Sequence, residues 1–247
     1  MIISNIHIFG SGSKFIKNLV AGFQFESNVN GIFNINNGVL KRANFPVSAT
    51  YVTGKNGLAV NFLNNTDLNY GEIPNADVFS YTDGIADLKF SISLWAFFDA
   101  YSSSGNFLLV KRDGINLHEW QLFRSPSAEI IFTKFDFTSV SFTKLIKAPL
   151  NLLSQWVHIV ISDDLINPKF YINGVLATTT VTTSASYTNM QNKDVPLTIG
   201  ALVGTAMNPN SKHKGKLDEI YIWKNRALSA AEVSELYNVG VGKFYPF

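Results

Sequence analysis

The sequence predicts an all-β protein with two packed antiparallel sheets of the jelly-roll type and one short C-terminal helix. About ten short segments alternate apolar and polar residues, and turn residues separate them at intervals typical of a sandwich. Clean alternation means that each strand buries one face, which favours antiparallel pairing. No strand–helix–strand rhythm is present, so a parallel sheet is not predicted. Cysteine is absent, which excludes disulfides and thiolate metal sites.

The first 17 residues are predicted to be an extension, and residues 18–247 a single domain. The segment IHIF alternates weakly, and GSGS after it is a flexible break. Residues 1–17 are read either as a tail or as an attachment arm that docks on a neighbouring subunit. The N-terminus lacks the pattern of a secretory signal, and no run of about 18 apolar residues predicts a membrane span.

The strands follow in order from the segment LVAGFQFE. The next, LAVNFLN, places Leu58, Val60 and Phe62 on one face. The strongest, DLKFSISLWAFF, places Leu88, Phe90, Ile92, Leu94, Ala96 and Phe98 on one side and Lys89, Ser91, Ser93, Trp95 and Phe97 on the other. Further strands are predicted at NFLLVKR, EWQLFR, EIIFTKFDF, WVHIVIS, KFYINGVLATT and VPLTIGA. Asn173-Gly174 predicts a type I′ hairpin, and residues 178–186 an edge strand with a loop.

The C-terminal segment GKLDEIYIWKNRALSAAEVSELYNVG predicts a strand, a turn and a helix. Strict alternation puts Leu217, Glu219, Tyr221 and Trp223 on one face of the strand, and Asp218, Ile220 and Ile222 on the other. Ser229 and Glu232 form a capping box at the start of the helix. Val233, Leu236 and Tyr237 give one apolar stripe, and Gly240 is the expected stop.

Taken in order, these segments resemble the concanavalin A-like, laminin-G-like jelly-roll domains of bacterial and phage surface proteins. The resemblance covers about residues 18–240, and the C-terminal strand and helix are its most specific part. It implies the fold more firmly than an activity, because domains of this kind bind glycans or proteins, often with calcium, or serve as structural modules.

The glutamates argue against an enzyme. Glycosidases with a concanavalin-like sandwich carry Glu-x-Asp-x-x-Glu on one strand, which puts the acid and the nucleophile on the same face. None of the seven glutamates here has Asp two residues on. The sequence therefore predicts a non-catalytic protein, with a polysaccharide-degrading enzyme as the third alternative.

The candidate ligand-binding residues are aromatic and polar side chains in or beside predicted loops. Aromatic faces suit the apolar side of a pyranose ring, and polar neighbours fix its hydroxyl groups. We expect ligand contacts from Tyr70, Tyr101, Arg112, His118 and Trp120. The strand pattern EWQLF around Trp120 favours a core position as the alternative for that residue.

Calcium is the predicted ion, because hard cations take carboxylate and carbonyl oxygens from loops. By strict alternation Asp218 points to the apolar side of its strand, where a carboxylate needs hydrogen bonds, a cation or a metal. The family resemblance puts Asp67 near this strand, and Glu26 is the third candidate ligand. The alternative is that Asp218 accepts backbone N–H bonds at a strand end.

The predicted function is a non-catalytic surface-recognition or adhesion module that binds a glycan or host-surface polysaccharide, displayed on a phage virion or another extracellular surface. The alternative is a structural virion decoration or fibre-knob protein whose residues 1–17 contact other virion subunits. A net charge of +2 without a basic stripe predicts no nucleic-acid partner. A homo-oligomer is left open, since no coiled-coil heptad indicates one.

Overall fold

The computed structural model of the chain describes residues 13–33, 37–42, 45–46, 51–62, 69–113, 116–136, 143–203 and 211–247. The strands in these ranges are β1 (Leu19–Phe23), β2 (Val39–Arg42), β3 (Phe45–Pro46), β4 (Tyr51–Thr53), β5 (Leu58–Asn61), β6 (Asn69–Ile73), β7 (Phe90–Phe98), β8 (Asn106–Arg112), β9 (His118–Arg124), β10 (Glu129–Phe135), β11 (Thr143–Pro149), β12 (Trp156–Asp163), β13 (Lys169–Ile172), β14 (Val175–Leu176), β15 (Thr180–Thr183), β16 (Leu197–Ile199) and β17 (Gly215–Lys224). Helix α1 spans Ala230–Tyr237, and 3-10 turns lie at Asp77–Phe79 and Asn238–Gly240. None of the helices described is long and apolar enough to cross a membrane.

The strands form two antiparallel sheets, as the sequence predicts. The eight-stranded sheet has the order β14-β13-β12-β7-β17-β5-β4, and β1 also pairs with β17. The nine-stranded sheet has the order β15-β11-β10-β9-β8-β16-β6-β2-β3. The two sheets pack their apolar faces together, and one continuous cluster of buried side chains fills the space between them.

Strand β7 shows how the alternation builds this core. Phe90, Ile92, Leu94, Ala96 and Phe98 all belong to the cluster between the sheets, as expected. The opposite face of β7 looks away from that core. The predicted hairpin after β13 is also present, with positive φ angles of 51° and 76° at Asn173 and Gly174.

A second apolar layer covers the outer face of the eight-stranded sheet. Trp223 and Tyr221 of β17 pack there with Leu236 and Val233 of α1, and with Phe15 from the N-terminal segment. The Trp223 indole donates to the carbonyl of Phe15 at 2.7 Å. Residues 13–17, which the sequence assigned to the extension, therefore pack as part of the domain, while residues 1–12 lie outside the described residues.

The start of α1 is as predicted. The backbone N–H of Glu232 donates to the Ser229 hydroxyl, and the backbone N–H of Ser229 donates to the Glu232 carboxylate, so the capping box is complete. The helix ends earlier than expected, because Asn238 adopts the left-handed conformation with φ 46° and serves as the cap in place of Gly240.

The predicted faces of β17 are wrong in its first half, because the strand contains a β-bulge. Its register against β7 shifts between Asp218 and Tyr221, and Glu219 has a φ of 51°. Leu217, Ile220 and Ile222 consequently share the core between the sheets. Asp218 pairs with Trp95, on the outer side of the sheet rather than beside the core isoleucines.

Candidate functional site

The outer face of the nine-stranded sheet carries a row of side chains that point away from the core. The core-facing residues of these strands include Leu109, Leu122 and Phe132, so their immediate neighbours along each strand face outward. The row in register across the sheet consists of Glu72, Thr198, Val110, Gln121, Thr133 and Leu145. Polar side chains therefore lie on the outer side of this sheet, although Thr198, Gln121 and Thr133 at its centre are themselves buried.

Arg112 is the central cation of this face. It is half-buried, and its Nη1 donates to Oε1 of Gln121 at 3.1 Å. Its guanidinium carbon lies 4.8 Å from the centre of the Phe135 ring, which holds the group flat against the sheet. Burial lowers the pKa of Arg112 and the Asp113 carboxylate raises it, but a guanidinium keeps its charge in proteins.

Two donors of this cluster are left without a hydrogen-bond partner in the part of the chain that the structure describes. Nε of Arg112 is buried and has no hydrogen-bond partner among the residues described. The amide nitrogen of Gln121 donates to none of them either, since Gln121 is used there as an acceptor. His118 is the register partner of Arg112, and its ring lies 5.4 Å from that of Phe135. Cation, amide and imidazole thus converge within one small area.

An aromatic surface continues the cluster along β9. Phe123 lies two residues beyond Gln121 on the same face and is half-exposed. Its ring stacks on that of Phe107 with a centroid distance of 5.0 Å and an interplanar angle of 12°. We call Arg112, His118, Gln121 and Phe123 the recognition strip. It combines hydrogen-bond donors with one accessible aromatic ring.

The structure brings two of the five predicted ligand residues together, and a third lies on the same sheet face. Arg112 and His118 lie in the strip, and Tyr70 lies on the same sheet face, packed against Ala201. Tyr101 lies outside the strip. The guanidinium of Arg124 covers its ring, with the guanidinium carbon 3.2 Å from the ring centre.

Trp120 does not belong to a ligand site. It is fully buried between the sheets, its indole donates to the carbonyl of Phe79 at 2.8 Å, and its ring stacks on that of Tyr81. The core position was the favoured alternative for this residue, and it is the one observed.

Sequence reasoning missed Gln121 and Phe123, although a signal for them exists. Both alternate with Trp120 and Leu122 along β9, so once Trp120 is assigned to the core its neighbours must face outward. Glu119 is the extra residue at a register shift between β8 and β9, and it is fully buried. Its carboxylate is buried and pairs with Lys111 at 2.8 Å, so it is not available to a ligand.

Two of the predicted calcium ligands, Asp218 and Glu26, meet at the turn of residues 54–58. Oδ2 of Asp218 accepts the backbone N–H groups of Lys55 and Asn56 at 2.8 and 3.1 Å, and its Oδ1 accepts that of Glu219. Oε1 of Glu26 accepts the N–H of Leu58 at 3.1 Å. Burial raises the pKa of Asp218 to about 8, with Glu219 adding to the rise and the N–H bonds opposing it. The hydrogen bonds of Asp218 are those of the alternative given above for that residue, and Glu26 accepts a backbone N–H of the same turn.

The oxygen ligands within the described residues do not by themselves make a calcium site. No group of three or more His, Asp or Glu side chains within the described ranges is placed to hold a metal ion. Asp67, the third predicted ligand, lies outside those ranges. Calcium therefore stays a prediction of the sequence.

If the calcium prediction is right, the thermal unfolding midpoint should rise with CaCl₂ concentration, because a ligand that binds the folded state alone stabilises it. The measurement is calorimetry in CaCl₂, in EDTA, and in MgCl₂ at equal ionic strength as the control. Equal midpoints in all three would contradict a calcium site.

The fold and the strip define a two-sheet jelly-roll domain whose outer sheet face carries hydrogen-bond donors beside an aromatic ring. The chain belongs to the concanavalin A-like lectin/glucanases superfamily, since a laminin-G-like model of that superfamily matches residues 65–234. This confirms the family resemblance. No curated protein matches the chain.

Similar solved structures include domain 4 of AbnA, a GH43 extracellular arabinanase from Geobacillus stearothermophilus, in complex with arabinotriose. It is 17% identical with a TM-score of 0.63, over 92% of this chain and 98% of that one. The binding domain of botulinum neurotoxin DC, in complex with rat synaptotagmin II, is 15% identical with a TM-score of 0.64, over 92% and 52% of the two chains.

A third similar structure is of botulinum neurotoxin type C, whose cell entry depends on interaction with two ganglioside molecules. It is 14% identical with a TM-score of 0.64, over 92% of this chain and 52% of that one. The chain thus spans about half the length of both toxin chains. At these identities the likeness establishes the fold.

Proposed function

We propose that this protein is a non-catalytic glycan-binding module and that the recognition strip is its binding surface. The observation that carries the proposal is a pair of buried donors without a partner among the described residues, Arg112 Nε and the Gln121 amide, on the same sheet face as the half-exposed ring of Phe123. A sugar presents hydroxyl oxygens to such donors and an apolar ring face to an aromatic side chain. The same chemistry recurs in ligand sites, where a few convergent polar groups fix orientation beside apolar surface.

The similar structures support a glycan as the ligand. One was solved with arabinotriose, and another belongs to a toxin that depends on gangliosides. The missing Glu-x-Asp-x-x-Glu pattern supports a binding role, because glycoside hydrolysis normally needs two carboxyl groups across the bond. Display on a virion, and contacts of residues 1–17 with other virion subunits, stay predictions of the sequence.

The proposal is tested on an array of arabino-oligosaccharides, ganglioside oligosaccharides and bacterial surface polysaccharides, with the best ligand taken to calorimetric titration. We expect Arg112→Ala to weaken that binding about 10- to 100-fold, because a hydrogen bond to a charged group contributes about 1.5–3 kcal/mol. Lys144→Ala, which removes a cation from β11 at the side of the same sheet, is the control and should bind like the parent protein.

Two results would count against the proposal. One is an array on which no glycan is bound. The other is an Arg112→Ala variant that folds and keeps full affinity.

A further inference from the structure

A second surface, separate from the recognition strip, has the form of a binding groove. Two open cavities of about 610 and 680 Å³ lie beside the turn that leads into α1, and Asn225 and Arg226 line both. The first cavity is bounded by the N-terminal segment, and the second by the start of β13 and the end of β14. Neither cavity is lined by a residue of the nine-stranded sheet.

The charge of the groove is strongly one-sided. Its lining includes five basic side chains and one acidic side chain, Asp164; the basic ones are Lys14, Lys17, Lys89, Lys169 and Arg226. We call these five the basic groove. They represent a quarter of the 20 lysines and arginines in a chain whose net charge is +2. Glu235 pairs with Lys14 and Glu232 with Arg226, which offsets two of these charges, so the remaining lysines give the groove a modest positive charge.

Three of these cations are available to a ligand. Lys17 and Lys89 are exposed, and the charge of Lys89 interacts with the Asp164 carboxylate. The Lys169 ammonium lies 3.8 Å from Asp164, a loose contact. Arg226, in contrast, is engaged within the protein. It donates to the carbonyls of Lys14 and Lys17 and pairs with Glu232.

Neutral polar groups lie between the cations. The side-chain amides of Asn167 and Asn225 line the groove and make no hydrogen bond with any residue described. Tyr171 lines it as well, but its side chain is only 4% exposed, so its ring is not a stacking platform. Ammonium groups and amides that line the same cavities suit a ligand that carries both anionic groups and hydroxyl groups.

We propose that the basic groove binds an acidic polysaccharide, with Lys17, Lys89 and Lys169 contacting its carboxylate or sulfate groups and Asn167 and Asn225 its hydroxyl groups. Single-stranded nucleic acid fits less well, because its binding relies on exposed aromatic side chains on which bases stack. A neutral glycan would leave the positive charge unused. The groove would give the module a second contact with a host surface, independent of the strip.

The test is titration with four probes of matched length: a polygalacturonate oligosaccharide, a dextran sulfate fragment, a neutral dextran fragment and single-stranded DNA. The two acidic sugars distinguish carboxylate from sulfate as the group recognised. We expect at least one of them to bind, and binding to weaken as salt is added. The double variant Lys89→Ala/Lys169→Ala should lose about tenfold in affinity, from two exposed charge contacts.

One control variant tests whether the loss is specific to the groove. Lys144→Ala/Lys214→Ala removes the same charge away from the groove and should bind the acidic sugar unchanged. The inference is overturned if neither acidic sugar binds, if neutral dextran or DNA binds more tightly than both, or if the Lys89/Lys169 variant keeps its affinity. None of these results bears on the strip.

Discussion

Replacing Lys134 with alanine is expected to lower the free energy of unfolding by about 3–5 kcal/mol. The Lys134 side chain is fully buried at the end of β10, with its ammonium 2.9 Å from Asp87 and 2.7 Å from Asp163. Asp87 also accepts the hydroxyl of Tyr187 at 2.8 Å. The Lys134 ammonium therefore links β10 to the segments that contain Asp87 and Asp163. Removing the Lys134 ammonium leaves the buried Asp163 carboxylate without its counter-charge. An uncompensated buried charge strongly destabilises the folded state.

The matched control is Lys144→Ala. Lys144 is the register partner of Lys134 on β11, but it is half-exposed, so its loss should change stability by less than about 0.5 kcal/mol. Urea denaturation of both variants measures the difference. A loss below about 1 kcal/mol in the Lys134 variant would show that the buried pair does not hold this end of the sandwich.

Phe15→Ala is the second variant with a large expected effect, again about 3–5 kcal/mol. The Phe15 side chain is fully buried, and its ring lies 5.2 Å from that of Phe247 near the C-terminus. Truncation would leave a cavity in the apolar layer beneath α1. The prediction matters for domain organisation, because a residue of a detached arm would contribute nothing to stability.

Lys17→Ala serves as the control for Phe15, since Lys17 is exposed two residues further on and should be neutral within about 0.5 kcal/mol. Chemical denaturation again gives the comparison. If both variants unfold like the parent protein, residues 13–17 are a tail as the sequence analysis allowed, and the second apolar layer does not depend on them.

Much of the fold could be predicted because its signals are local. The alternation of Phe90 to Phe98 fixes the core face of β7, and the Ser229–Glu232 capping box fixes the start of α1. The bulge in β17 could not be predicted from the sequence. It places Glu219 at a positive φ, and a glycine, the usual signal for that conformation, is not present at this position. One inserted residue was enough to move Asp218 to the other face.

The sites were predicted less completely, for a related reason. Arg112 and His118 are predicted by residue type and stay predictions as ligand contacts, whereas Gln121 and Phe123 follow only from knowing which face of β9 is buried. The basic groove draws its lysines from positions as distant as 17, 89 and 169. Such residues meet through the pairing of strands far apart in the chain, and no sequence window contains them.

The most direct test of glycan binding by the recognition strip is calorimetric titration of the best array glycan into Arg112→Ala and into Lys89→Ala/Lys169→Ala. If that glycan is neutral, we expect at least a tenfold loss of affinity for the first variant, from the lost charged hydrogen bond, and no change for the second. The opposite pattern, with the Arg112 variant unaffected and the lysine variant impaired, would contradict the strip as the glycan-binding surface.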